Sequence, residues 1–99
     1  MATEHKALLA RFEAKPGKAD EVRTFLEEAR PLAEDEDGTV SWYALQLGDR
    51  TFGIFDTFAD DEGRQAHLDG NIAAALFERA DELFVDAPEV EQVDVVAAT

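Results

Sequence analysis

Two runs in the middle of the chain, residues 39–47 and 51–58, are rich in β-forming side chains, and neither has a polar face. Read as strands, the first offers Val40, Trp42 and Ala44 on one side and Tyr43, Leu45 and Leu47 on the other; the second sets Phe52, Ile54 and Phe58 against Gly53 and Phe55. A sheet with helices on one side only should alternate apolar and polar residues. Here both faces require burial, so the face without helices must pack on something, and the same face of a second copy is the economical cover. A homodimer is therefore expected from the alternation alone.

The rest of the chain frames these strands. Residues 6–14 alternate, with Leu8, Ala10 and Phe12 on one face, and run into the turn Lys15, Pro16, Gly17, Lys18. Val22, Phe25, Leu26, Ala29, Leu32 and Ala33 then recur at helical spacing, with Asp20 and Glu21 in the first turn where the helix dipole favours acids. Pro31 predicts a kink or a restarted last turn. The acidic run 34–37 opposes the dipole at the helix end, and Gly38 is expected to supply a left-handed cap. Gly48, Asp49 and Arg50 make a turn, so the two central strands form a hairpin.

After it, Asp60 or Asp61 caps a second helical region carrying Arg64, His67 and Leu68, which Gly70 and Asn71 break or bend. A third apolar stripe follows through Ala75, Leu76, Ala80, Leu83 and Phe84, and residues 89–97, with Val90, Val93, Val95 and Val96, read as a last strand. The order βαββαβ with right-handed crossovers gives an α+β, ferredoxin-like fold: a four-stranded antiparallel sheet with helices on one face. Residues 1–99 are expected to form one domain, whose own core is modest for its size and would gain from a partner subunit.

Charge and composition narrow the function. Nine basic against twenty-three acidic residues give a net charge of −14, which repels nucleic-acid backbones and anionic membranes. The absence of cysteine excludes disulfides, thiolate catalysis and cysteine metal sites. No apolar run approaches a membrane span, and residues 1–6 show no signal-peptide pattern, so a cytoplasmic protein is expected. There is no dinucleotide fingerprint, no P-loop and no metal cluster with ligand spacing, so no cofactor and no metal is expected.

The segment 14–20, with its Lys-Pro-Gly-Lys turn and acidic helix start, the segment 38–43, the strand 52–58 with its central acid, and the helix bearing His67 and Leu68 together resemble the antibiotic biosynthesis monooxygenase family of dimeric α+β barrels. Order and spacing across nearly the whole chain carry the resemblance, since each motif is short. It implies a dimeric barrel and, as the family's best-known chemistry, oxidation of phenols or hydroquinones by O₂ without flavin or metal. The family also holds haem-degrading enzymes, an isomerase of a phosphorylated signalling sugar, and members with no known activity. The asparagine, tryptophan and histidine of the haem-degrading branch fall by eye near Ala10, His67 and Phe77, so that branch is disfavoured. No cluster of basic residues supports a phosphosugar.

Oxygen chemistry of this kind needs a base or acceptor, a donor to hold the substrate anion, and dry aromatic walls. His67 is the candidate base, because a histidine can take up a proton near neutrality. Asn71, four residues on, could orient the ring or a substrate oxygen if the helix survives Gly70; otherwise it is a helix breaker or cap. Asp56 shares its face with Phe52, Ile54 and Phe58, and a buried carboxylate needs a partner, either Arg11 in a structural ion pair or a pocket where it is a general base. Trp42 and Tyr43 point to opposite faces, and with Phe55 and Phe77 they are candidate walls for a small apolar or aromatic molecule. The alternative is a dimer that binds such a molecule without transforming it.

Overall fold

The computed structural model describes residues 4–99, so part of the N-terminal stretch read for a signal peptide lies outside the described residues. The chain runs β1 (Lys6–Glu13), α1 (Ala19–Glu34), β2 (Thr39–Gln46), β3 (Thr51–Phe58), α2 (Asp61–Leu68), α3 (Asn71–Glu78), α4 (Ala80–Leu83) and β4 (Glu89–Asp94). The sheet order is β2-β3-β1-β4, with every pair antiparallel, which is the ferredoxin-like α+β arrangement. The first strands of the two βαβ halves, β1 and β3, therefore sit side by side in the centre, while β2 and β4 are the edges.

Cross-strand register shows how the core is assembled. Leu8 faces Asp56, Ala10 faces Ile54 and Phe12 faces Phe52, so these residues share one side of the sheet. The hydrocarbon members of that row are buried, and α1 packs Val22, Leu26, Ala29 and Ala33 into the same layer. Spacings of four, three and four place those α1 side chains on one stripe. Ile72 and Leu76 of α3, with Leu83 and Phe84, complete it, and Phe84 sits against Phe12 with ring centroids 4.8 Å apart.

The other side of the sheet carries Leu9, Phe55, Tyr43, Leu45 and Leu47 with no helix over them; Tyr43 is 56% and Leu47 47% exposed. The two-faced pattern read from the sequence is thus real in the folded chain. No helix among the described residues is long and apolar enough to cross a membrane.

Several local expectations need correction. α1 continues as one element past Pro31, which falls in its last turn; proline forfeits the helical bond to the carbonyl of Glu27, but both residues lie on the exposed side of the helix. Gly38 is not a left-handed cap, since Gly17 is the one residue with positive φ among those described (φ 81°). Gly38 is a glycine for another reason: a Cβ there would lie 2.8 Å from Cα of Gly63, and a Cβ on Gly63 would lie 2.8 Å from the Gly38 carbonyl oxygen. The backbones of the α1–β2 loop and of α2 are in contact there. The second helical region is broken at Gly70, the N-cap of α3, as the sequence suggests, but the last strand stops at Asp94, short of the expected 97, leaving Val96 fully exposed.

Candidate functional site

The contact between Gly38 and Gly63 has a chemical result: it carries Glu36 to the C-terminal end of α2, where His67 stands. α2 itself is fixed at its start by Asp60, whose side chain accepts a hydrogen bond from the Gly63 N–H at 2.9 Å, and along its side by Arg64, whose guanidinium donates to the carbonyls of Ala7 and Val93. His67 lies in the last turn of α2, a position where the helix dipole favours a cation. Its ring is buried with Phe58 beside it, the centroids 5.4 Å apart.

Both ring nitrogens meet carboxylates. Nδ1 is 2.7 Å from Oε1 of Glu36, and Nε2 is 2.9 Å from Oδ2 of Asp56. The Glu36 oxygen is held in place by the Thr39 hydroxyl, which donates to it at 2.7 Å. Asp56 rises from the middle of β3 and is 1% exposed. Its contact with His67 is an ion pair whose N–H is not aimed straight at the oxygen, and neither carboxylate oxygen has an aligned donor among the described residues.

This arrangement decides the protonation of the ring. Burial opposes a charge on His67, but Asp56 and then Glu36 outweigh it and push its pKa up to about 9. At neutral pH the ring is an imidazolium with a proton on each nitrogen, clamped between two acids. His67 in this state is a donor and cannot be the base expected from the sequence. Burial raises the pKa of Asp56, while His67 works against the rise.

Beside the pair lies an apolar cavity of about 30 Å³ lined by Leu8, Ile54, Ile72, Leu76, Phe77 and Val90 among others, room for about one water and not for an aromatic ring. Phe77 and Val90 at its edge are 50% and 36% exposed.

His67, Asp56 and Phe77 therefore come together, and the other candidates do not. Arg11 cannot pair with Asp56: it stands opposite Gly53, on the helix-free side of the sheet, while Asp56 faces the helices. Asn71 is exposed at the first position of α3, because Gly70 ends the helical face it would have shared with His67. Tyr43 and Phe55 oppose each other on the helix-free side. Trp42 lies directly across from Asp56 on the helix side and packs against α1 and α3 core residues, where it lines a separate groove.

Glu36 was missed because the acidic run read as a helix terminus. Its place is set by a contact between two glycines distant in sequence, which no local pattern reveals. Among the described residues no group of acids and histidines converges on a point that could hold a metal, since the two acids of the trio sit on opposite nitrogens.

Comparison with known proteins agrees with this architecture. The family model for antibiotic biosynthesis monooxygenase matches residues 7–83. A crystal structure of a protein of unknown function from Nitrosomonas europaea is 49% identical, covers 98% of this chain and 94% of its own, and superposes with a TM-score of 0.95. A provisionally named antibiotic biosynthesis monooxygenase from the same organism has a TM-score of 0.83 at 11% identity, covering 100% of this chain and 97% of its own. A Mycobacterium tuberculosis protein gives 0.82 at 17% identity, covering 95% and 97%. At such low identities the last two show the shared fold alone. No curated protein matches the chain significantly. With the family model spanning most of the sequence and the sheet order as expected, the chain belongs to the antibiotic biosynthesis monooxygenase family.

Proposed function

We propose that the protein is a cofactor-independent monooxygenase for a small aromatic or quinol substrate and that it works as a homodimer closed through the helix-free face of the sheet. The observation that carries the enzymatic reading is Asp56: a carboxylate 1% exposed, at the edge of an apolar cavity, with a cationic His67 at 2.9 Å, in a chain of this family. A buried carboxylate with a raised pKa accepts a proton from a substrate hydroxyl more readily than a solvated one. His67, already charged, steadies the substrate anion without giving up its own proton.

The electron-rich anion is then the reductant for O₂. For a hydroquinone the balance is C₆H₆O₂ + O₂ → C₆H₄O₃ + H₂O: one oxygen atom enters the ring, the other leaves as water, and the substrate supplies all four electrons. The cavity must widen to admit a ring, and the half-exposed Phe77 and Val90 are the side chains whose movement opens it.

The dimer rests on Leu9, Phe55, Tyr43, Leu45 and Leu47, an apolar sheet face without cover in the single chain. Face-to-face packing of two such sheets would bury an interface of standard size. Sedimentation at micromolar concentration should give twice the 10.9 kDa chain mass, and a compact single-chain species would remove this part of the proposal.

The enzymatic test is O₂ uptake with a panel of hydroquinones, comparing wild type with Asp56→Asn and His67→Ala. Wild type should consume O₂ and form the hydroxyquinone, and Asp56→Asn should slow the rate by at least about a hundredfold, the low end for losing a general base. Uptake no faster than without protein, or equal in wild type and Asp56→Asn, would overturn it. A second reading, a dimer that binds a small apolar molecule without transforming it, draws on the sealing of Asp56 and His67 from solvent. It predicts binding without O₂ uptake.

A further inference from the structure

The chain contains two Asp-Gly dipeptides, Asp37–Gly38 and Asp69–Gly70, and the fold brings both of them to Glu36. The first follows Glu36 directly in the chain. The second closes the C-terminal end of α2 just after His67, and a Cβ on Gly70 would lie 3.5 Å from Oε2 of Glu36. An Asp-Gly link can rearrange without any catalyst. The glycine nitrogen attacks the side-chain carboxyl carbon of the aspartate, a C–N bond forms, a C–O bond breaks and water leaves, which closes a succinimide ring. Water then re-enters, and when it opens the ring at the original main-chain carbonyl, the chain is left running through the aspartate Cβ as isoaspartate. The water lost in the first step is regained in the second, so no oxidant or reductant is involved. Glycine favours the attack because it has no Cβ to crowd the nitrogen and its backbone turns freely.

The two dipeptides share this chemistry but not their surroundings. At Asp69–Gly70 both reacting groups are held: the Gly70 N–H donates to the His67 carbonyl at 3.0 Å, and Oδ1 of Asp69 accepts from the Gln65 side chain at 3.2 Å. Asp69 is also fixed as the C-cap of α2, its own N–H bonded to the Gln65 carbonyl at 3.0 Å. At Asp37–Gly38 neither group is held. Asp37 is exposed, and among the described residues its carboxylate has no hydrogen bond or ion pair and the Gly38 N–H meets no acceptor. The two residues form the middle of a turn closed by the Thr39 N–H and the Glu36 carbonyl at 3.3 Å, a long bond that opens easily.

The same turn positions Glu36. Thr39, which closes it, also donates its hydroxyl to Oε1 of Glu36 at 2.7 Å, and Gly38 is the residue that touches Gly63. Isoaspartate at position 37 adds a carbon to the main chain between Glu36 and these two anchors. We propose that Asp37 is a site of spontaneous isoaspartate formation in the folded protein, that Asp69 is protected from it, and that the change at Asp37 releases Glu36 from His67. None of this depends on the oxygenase reading, since a chain that consumes no O₂ would age in the same way.

Prolonged incubation of the whole protein in neutral buffer, followed by tryptic digestion and electron-transfer fragmentation, reads the two sites separately, because Arg64 places them on different peptides. Isoaspartate should accumulate at residue 37 at least roughly fivefold faster than at residue 69, the factor that one intramolecular hydrogen bond carries. In denaturing urea, where neither site is held, the two rates should converge. Asp37→Glu keeps the charge and Gly38 but would have to close a larger ring, so it should abolish the product at 37 and leave the rate at 69 unchanged. In the isomerised wild type, the His67 ring should titrate at lower pH than in fresh protein, because Glu36 is one of the groups that hold its proton; incubated Asp37→Glu should show no such shift. Absence of isoaspartate at residue 37, or equal rates at 37 and 69 in the folded protein, would overturn the proposal. An unchanged His67 titration in the isomerised protein would overturn the release of Glu36.

Discussion

Raising the pH should destabilise this protein well before any general alkaline unfolding, and the effect can be sized from His67. The unfolded ring releases its proton near the ordinary value of 6.5, whereas the folded ring holds it to about 9. Between these values the native state carries a proton that the unfolded state has lost, so stability falls as pH rises; it is fully present below 6.5 and is gone above about 9. A tenfold difference in proton affinity corresponds to about 1.4 kcal/mol, so the loss across the window is about 3 kcal/mol. The side chain is only 8% exposed, so solvent screening does little to reduce it.

For a domain whose total stability is about 5–15 kcal/mol, that is a large share, equivalent to roughly 12–24 °C in melting temperature. Asp56 acts in the same direction on the acid side, because its raised pKa also lets the native state hold a proton that the unfolded chain gives up. Urea unfolding followed by far-UV circular dichroism at about pH 6 and about pH 9.5, at constant ionic strength, measures the difference. An NMR titration of the His67 ring locates the group responsible. Glu36→Gln should lower the His67 pKa and shrink the pH dependence together. Equal stability at both pH values, or a His67 ring that titrates near 6.5, would refute the clamp between two carboxylates.

Other perturbations address separate parts of the structure. Gly63→Ala should cost about 1–3 kcal/mol by overpacking, because its Cβ would meet the Gly38 carbonyl oxygen at 2.8 Å; by displacing Glu36 it should also lower the His67 pKa, and the same NMR titration reads this out. Asp56→Asn should lower that pKa by more than Glu36→Gln does, since Asp56 is the stronger of the two partners. Trp42→Phe removes a buried donor that has no acceptor, so unfolding should shift by less than about 1 kcal/mol, and a loss above about 2 kcal/mol would reveal a partner for the indole N–H. Phe55→Asp places a charge in the middle of the helix-free face and should yield a single-chain species in sedimentation while leaving the His67 titration unchanged.

Much of this protein is written in its local patterns. The alternation of residues 52–58, apolar on both sides with one acid among the inward positions, already assigns Asp56 to the helix-covered face and Phe55 to the other, because successive side chains of a strand must point opposite ways. The same rule separates Trp42 from Tyr43. The helical spacing of Val22, Leu26, Ala29 and Ala33 likewise fixes which side of α1 enters the core. Such periodicities come from backbone geometry and need no knowledge of the rest of the chain.

The chemistry of the site was decided elsewhere. Whether His67 is a neutral ring or a clamped cation depends first on Asp56 and then on Glu36, 31 residues away in sequence, and Glu36 arrives only because two glycine backbones can touch. Arg11 and Asp56 look like partners when only strand adjacency is considered, yet the register sets them on opposite sides of the sheet. Register, loop closure and the desolvation of an ionisable group are properties of the packed whole. A sequence lists the acids, but only the fold determines which of them lose their water and which histidine they face.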